Sequence, residues 1–510
     1  MHHPILTCTE AIELEHALLG GDTELEWMAM NKAGTALAHQ ILLDFNELRP
    51  FPRDPSILVL AGKGHNAGDA LLAAHQLLKA RPRGQVCIAA IQDPEQFKPN
   101  TRRAYDAITN EAKCKRIEPD AVGEFDFDIS LDGLFGMQFH PPLRDPYNQL
   151  IAQLNRSDNI GFRAAVDLPS GLSDTRGDEP LRADFTYATG IAKTPLFVPE
   201  SLQWTGRIRY LDIGFFDAEV PDKNKSWGLL TDATLHPLRK LRHPDCDKRS
   251  HGHLLILGGS RTLPGALLMC VRAALRSGVG LVTAFAPESI AAQFAAAAPE
   301  AIWVPWPETP DGGLSLEGQY LIQEHIPRAS ALAVGPGLGN ERETQAMLQV
   351  VLKKVECPSV LDADALLPEV VSSLHCPTVI TPHLGEMARL TGLKAVEIDH
   401  ATAREHATLF GRSHDFDYTV LLKGPMTHVT NGSQVLTSTY GSPVLARGGS
   451  GDLLTGLVGG LLAQGHAPMN AACLAAVWHG QAAEHLARNR GTTAATATQL
   501  LNYLHEPLRP

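Results

Sequence analysis

The segment Arg447-Gly448-Gly449-Ser450-Gly451-Asp452 runs into an apolar stretch that reads as a helix. Glycines let a backbone approach a ligand closely and take positive φ. The unpaired N–H groups and partial positive charge of a helix start attract an anion. Together these make a cradle for a phosphoryl group in transfer. Asp452, in that first turn, can take a proton from a hydroxyl as it attacks phosphorus. The same residues also fit a glycine loop closed by an ordinary capping aspartate.

Similar junctions recur. Gly258-Gly259-Ser260 follows an apolar run, and Pro264-Gly265-Ala266 opens an amphipathic one. Gly335-Pro336-Gly337-Leu338-Gly339, Thr381-Pro382-His383-Leu384-Gly385-Glu386 and Lys423-Gly424-Pro425-Met426-Thr427 each follow a β-type run. His383 can donate to a phosphate or an amide, or can be a plain loop histidine. Ligands of open α/β sheets bind beyond the carboxyl ends of strands, so these loops belong at one crevice. Further upstream, Gly62-Lys63-Gly64-His65-Asn66-Ala67-Gly68-Asp69 links a strand to a helix, a second phosphate-type loop. Asn66, Asp132 and Ser170 offer only oxygen ligands, which suit a hard cation, though each also fits a turn at a strand end.

The elements that must position these residues alternate. Strands are expected at Ile57 to Ala61, Gln85 to Ile91, Asp126 to Leu131 and Arg163 to Val166, with a helix from Asp69 to Ala80. The segment Phe216 to Ser250, rich in Pro, Asp, Lys and Arg, lacks this rhythm and reads as a linker. Two domains follow, 1–225 and 226–510. In the second, strands are expected at Leu254 to Leu257, Leu281 to Phe285, Ala331 to Val334, Ser359 to Leu361, Thr378 to Ile380 and Thr419 to Leu422. Helices are expected at Pro264 to Ser277, Ala291 to Ala298, Gly451 to Gln464 and Asn470 to Ala487. The fold class is α/β: two tandem three-layer α/β/α domains built on mostly parallel sheets.

Composition narrows the function. The chain has 510 residues, 44% hydrophobic and 20% charged, with a formal net charge of −12. An acidic surface repels polyanions, so no nucleic-acid partner is expected. No apolar stretch is long enough to span a membrane, and the first residues lack a secretory pattern. The eight cysteines form no C-x-x-C pair. A reducing, cytoplasmic setting is expected, without structural zinc.

The motifs G-G-S…G-A, G-P-G-L-G, D-A-D-A-L, T-P-H-x-G-E, L-K-G-x-x-T and G-G-x-G-D occur here in that order, the third as Asp362-Ala363-Asp364-Ala365-Leu366. Over about 280 residues this half closely resembles the ribokinase-like NAD(P)H-hydrate dehydratases, a match as specific as ordered motifs at strand ends can make it. Roughly residues 5 to 217 resemble the Rossmann-like NAD(P)H-hydrate epimerase domain, often fused to the dehydratase. The resemblance implies repair of hydrated NADH and NADPH. ADP phosphorylates the S hydrate and phosphate then leaves, while the N-terminal domain interconverts R and S forms. It implies Asp452 as general base. Ala266, Gly337, His383 and Asp452 would contact the hydrated dinucleotide, and Lys423 to Thr427 with Gly451 would hold the nucleotide. In the N-terminal half it implies Asp167 in catalysis. His65, Asn66, Ala67, Gly68 and Asp69, Asp167, and Gly136 to Pro142 would contact substrate, and Asn66, Asp132 and Ser170 would bind K⁺. Mg²⁺ and ADP are the expected co-reactants, and a homo-oligomer is expected. The alternative is a vitamin or sugar kinase with a non-catalytic nucleotide-binding module in front.

The N-terminal half departs from the pattern. G-N-N-G-G-D-G reads Gly64-His65-Asn66-Ala67-Gly68-Asp69-Ala70, and G-T-G reads Gly136-Met137-Gln138. Were positive φ required at Ala67, its Cβ would cost ~1–2 kcal/mol.

Overall fold

The computed structural model describes residues 2–111, 113–175, 177–217 and 226–509. The chain divides into two compact units: His3–Lys225, and Ser226–Pro510 together with Met1–His2. The boundary expected near residue 225 falls outside the described residues.

In the N-terminal unit, short β-branched runs form a seven-stranded sheet in the order Cys114–Ile117, Gln85–Ala90, Ser56–Ala61, Phe127–Gly133, Ile160–Val166, Phe185–Thr189, Arg207–Leu211. Every neighbouring pair is parallel. Successive side chains of a strand face opposite sides. Ile57, Val59 and Ala61 therefore join one core, and Leu58 and Leu60 another. A strand stretch buried on both faces must be apolar, and this one is from Ile57 to Ala61. The helix His65–Ala80 covers the first face, with Ala67, Ala70, Leu71, Ala74 and Leu77 buried.

That helix starts at His65, not at Asp69. Gly64 caps it in an extended conformation, φ −90° and ψ −179°, so Asn66 to Asp69 lie inside its first turns. A preceding helix, Thr23–Asp44, packs beside it. It escapes the sequence reading because Glu, Asn and Lys interrupt its apolar spacing.

The C-terminal unit repeats the plan. Its strands lie in the order Ile302–Trp306, Leu281–Pro287, His253–Leu257, Ala331–Val334, Ser359–Leu361, Thr378–Ile380, Tyr418–Leu422, Thr427–Thr430, Val435–Ser438, Trp227–Leu230. They are parallel as far as Tyr418–Leu422; an antiparallel meander follows through Val435–Ser438, and Trp227–Leu230 lies parallel to its last strand. Leu254 and Ile256 face one core, Leu255 and Leu257 the other. The first core holds the helices Pro264–Arg276, Ser450–Ala463 and Pro468–Arg490; the second holds Arg342–Leu352. Two packed faces make three layers.

The linker reading of Phe216 to Ser250 is corrected in part. Trp227–Leu230 is a strand paired with Val435–Ser438, and Asp232–Arg239 is a 3₁₀ helix. Four residues are too short for a periodic signal, and Pro237 sits inside the helical turn. Among the described residues no helix is long and apolar enough to cross a membrane.

Candidate active sites

The helix Ser450–Ala463 is apolar nearly all round and buried along its length, so packing fixes its axis. Gly449 turns the chain into it at φ 94°, and no side chain caps it. Ser450 N donates to Arg447 O at 3.3 Å, which leaves the next N–H groups, those of Gly451 and Asp452, to face a ligand. A Cβ at Gly449 would come within 2.5 Å of Met269, and one at Gly451 would meet Lys423 Nζ at 3.2 Å. The backbone passes that close to the lysine because position 451 has no side chain.

Lys423 ends the strand Tyr418–Leu422 and donates to Asp362 Oδ1 at 2.7 Å. Thr455, one turn into the helix, donates to Asp362 Oδ2, also at 2.7 Å. Burial alone would raise the Asp362 carboxyl, but Lys423, Thr455 and Thr381 hold it below the usual carboxylate range. The opposite happens at Asp452. Burial first, then the negative charges of Asp362 and Asp364, push it up to about 6, against the pull of Lys423. The site thus holds one locked carboxylate and one poised to exchange a proton near neutrality.

His383 caps the helix Leu384–Thr391. Its Nδ1 accepts from Gly385 N at 2.9 Å and Glu386 N at 3.3 Å, while Glu386 accepts from the His383 backbone at 2.8 Å. His383 Nε2 lies 3.5 Å from Glu386 Oε1. His383 is also bridged to Lys423 along the strand ends, and Glu386 lies 3.8 Å from Lys423 Nζ. Gly337, at φ 71°, abuts Ala266: a Cβ there would lie 3.0 Å from the alanine methyl. Its loop is tied in by Gly339 N donating to Asp364 at 2.9 Å, and Asp364 acts on Asp452. Gly424, Pro425 and Met426 form the turn into the strand Thr427–Thr430. Arg447 donates to the carbonyls of Thr492 at 2.9 Å and Thr493 at 2.6 Å, so it braces the loop.

Sequence reasoning gave no role to Asp362, Asp364, Thr455 or His479. Asp362 and Asp364 were visible in their motif, yet nothing in spacing separates an ion-pair anchor from a turn aspartate. His479 is buried on the helix Pro468–Arg490, next to the Ser450 backbone, and its Nε2 has no partner among the described residues. Burial and Lys423 lower its pKa to about 4, so it is neutral at pH 7.

The N-terminal unit holds a cavity of about 450 Å³ lined by His65, Asn66, Asp69, Gly136, Met137, Gln138, Asp167 and Lys193, among others. Ala67 and Gly68 do not line it. Ala67 is fully buried in right-handed helix and belongs to the apolar core. No positive φ is needed there, so the conditional strain at Ala67 does not arise. Gly133 faces both substitutions: a Cβ on it would lie 2.9 Å from Ala70 Cβ and 3.0 Å from Ala67 Cα. The strand leaves room for the helix to bring Asn66 and Asp69 to the cavity.

Asp132 and Ser170 do not line this cavity, but hydrogen bonds through Phe135 join them to Asn66, which does. Asp132 accepts from Ser170 N at 2.7 Å and Ser170 Oγ at 2.6 Å. Phe135 N donates to Ser170 Oγ at 2.9 Å, and Asn66 Nδ2 donates to Phe135 O at 2.6 Å. Asn66 Oδ1 is buried without a partner among the described residues. Burial pushes the Asp132 carboxyl up to about 6, partly opposed by its hydrogen bonds. A buried carboxylate oxygen, a hydroxyl and an orphaned amide oxygen fit a cation that prefers oxygen.

Asp167 is 6% exposed and sits at φ 66°, a conformation rare for a residue with a side chain. It accepts a charged hydrogen bond from Lys193, which is itself buried, and bonds from Thr189 N and Oγ1 at 3.3 Å. Lys193 was missed. Its signal is a lone cation after the apolar pair Ile191-Ala192.

Comparison with known proteins agrees with both halves. Residues 254–506 match the family described as NAD(P)H-hydrate dehydratase, and residues 27–195 match the YjeF-related protein N-terminus. The bifunctional NAD(P)H-hydrate repair enzyme Nnr of Gloeobacter violaceus is 37% identical over 505 residues, covering 96% of this chain and 94% of the relative. The Moorella thermoacetica protein of the same name is 33% identical over 473 residues, covering 89% and 87%. Among solved structures, the ADP/ATP-dependent NAD(P)H-hydrate dehydratase of Bacillus subtilis, co-crystallized with ATP/Mg²⁺, is 27% identical over 55% of this chain and 96% of its own, with a TM-score of 0.47. The identity to the two Nnr proteins runs through both units and nearly their whole length, and the chain belongs to the family of bifunctional NAD(P)H-hydrate repair enzymes.

Proposed function

We propose that the C-terminal unit dehydrates the S form of hydrated NADH and NADPH at the expense of ADP, and that the N-terminal unit interconverts the R and S forms. The observation that carries the first part is Asp452, at the head of a glycine-opened helix, with its carboxyl poised near neutrality beside the Lys423–Asp362 pair.

Asp452 takes the proton of the C6 hydroxyl as its oxygen attacks the β-phosphorus of ADP, and AMP departs. The N–H groups at Gly451 and its neighbours bind the phosphoryl oxygens in transfer. Hydroxide leaves carbon poorly and phosphate leaves well, so the ester eliminates: the C6–O bond breaks, a proton leaves C5 and the C5–C6 double bond returns. Lys423 to Thr427 with Gly451 hold the nucleotide, while Ala266, Gly337 and His383 hold the dinucleotide. Mg²⁺ accompanies the ADP phosphates and supplies charge neutralisation there.

In the N-terminal unit, His65, Asn66, Asp69, Gly136 and Asp167 contact the hydrate in the cavity, with Asp167 acting in catalysis. Asn66, Asp132 and Ser170 would hold K⁺, which would supply a fixed positive charge there. The orphaned amide oxygen of Asn66 supports that assignment. The protein works without a membrane or nucleic-acid partner, as a cytoplasmic homo-oligomer.

The test separates the two activities. Purified protein with ADP, Mg²⁺ and S-NADH hydrate should regain NADH absorbance and release free phosphate. A stable phosphate ester in place of NADH would make it an ordinary kinase. The R hydrate, given alone, should be consumed only after conversion to S.

A further inference from the structure

The N-terminal cavity contains more ionisable side chains than binding requires. Glu15, Asp69, Asp167 and Lys193 all line it. Lys193 and Asp167 form a buried ion pair, and Asp167 is held besides by Thr189 N and Oγ1. An ion pair this deep costs desolvation and contributes little net stability, so packing does not account for it. Nor does packing account for Asp167 at φ 66°; strain of this sort persists where the surroundings over-determine it, commonly at functional sites. Asp69, three residues past Asn66 on the helix His65–Ala80, presents its carboxyl to the same space with no cation bonded to it among the described residues.

We propose that Asp69 is the proton-transferring catalytic residue of the epimerisation and that Lys193 is the positioning residue that fixes the Asp167 carboxylate facing the reacting carbon. This rests on the epimerase reading above. C6 of the hydrate carries both a hydroxyl and the ring nitrogen N1. Asp69 gives its proton to the hydroxyl, the C6–O bond breaks with its electron pair leaving on water, and the N1 lone pair forms the C6–N1 double bond of an iminium cation. The carboxylate of Asp167, fixed by Lys193 and Thr189, faces that cation. Water then adds to either face of C6, the C6–N1 pair returns to N1, and Asp69 takes the proton back. Nothing is oxidised or reduced, and the enzyme ends as it began. Burial, with the charges of Asp167 and Glu15 beside it, holds the Asp69 carboxyl well above its usual range against the pull of Lys193, which suits a group that must start protonated.

The experiment uses the full-length protein and NADH hydrate labelled with ¹⁸O at C6. With wild-type enzyme, epimerisation should release the label to solvent. D69N should lower kcat for epimerisation at least ~10²-fold with KM little changed. K193M should lower kcat in the same way, and K193R should restore most of it. Circular dichroism and the dehydratase rate of each preparation establish that the variants are folded, and the label experiment needs no variant. Retention of the label through complete epimerisation would overturn the proposal, as would D69N or K193M turning over at the wild-type rate. A wild-type protein that never interconverts the hydrates would instead sink the epimerase reading beneath it.

Discussion

In the proposed reaction, a single carboxyl decides the chemistry of the C-terminal unit. Asp452 must be ionised to accept the hydroxyl proton, and burial with Asp362 and Asp364 beside it pushes its pKa up to about 6. Dehydratase kcat/KM should therefore be flat above that value and fall about tenfold per pH unit below it. A profile flat down to pH 4 would contradict the assignment. Replacing Asp452 by Asn should cost at least ~10²-fold in turnover with the fold intact. Lys423 serves two ends, holding Asp362 and standing 3.2 Å from where a Cβ at Gly451 would be. Lys423→Met leaves Asp362 a buried, uncompensated charge, so the unit should lose about 3–5 kcal/mol in urea unfolding. Asp362 is reached by Thr455 as well, so the double variant Lys423→Met, Asp362→Asn should recover part of that loss.

At the scale of elements, the helix starts matter most. Ala67→Gly would bring the N-terminal loop nearer to its family pattern. Because Ala67 is buried in helix and packed in the core, the change should destabilise the unit by about 1–2 kcal/mol. It should not raise epimerase turnover; a gain of several-fold would show that the alanine obstructs substrate. Gly449→Ala forces a side chain to φ 94° and against Met269, and should weaken dehydratase turnover while costing about 1–2 kcal/mol in backbone strain. The inner strands and the glycine junctions were legible in the sequence because buried strands are apolar and glycine marks close approach; outer strands such as Cys114–Ile117, Arg207–Leu211 and Ile302–Trp306, with polar or exposed positions, were not. Helix His65–Ala80 was read four residues short, since a loop pattern of Gly, His, Asn and Asp hides a helical first turn. The buried charges Lys193 and Asp362 had no local signal for their partners. Their partners come from elsewhere in the chain, 26 residues away for Asp167 and Lys193 and 61 for Asp362 and Lys423.

For the whole molecule, each unit has its own pair of cores. The two activities should therefore separate by mutation. Asp167→Asn should abolish interconversion of the hydrates and leave S-hydrate dehydration at the wild-type rate, and Asp452→Asn should do the reverse. If Asn66, Asp132 and Ser170 hold K⁺, a concentration 100 times its dissociation constant should stabilise the N-terminal unit by about 2.7 kcal/mol over Li⁺, and Asp132→Asn should erase the difference. The most direct measurement follows a mixture of R and S NADH hydrate given excess ADP and Mg²⁺. The wild-type chain should return the whole mixture to NADH with one AMP and one phosphate per turnover, and the Asp167→Asn chain only the S share at the enzymatic rate. No NADH, or a phosphorylated hydrate that persists, would contradict the account.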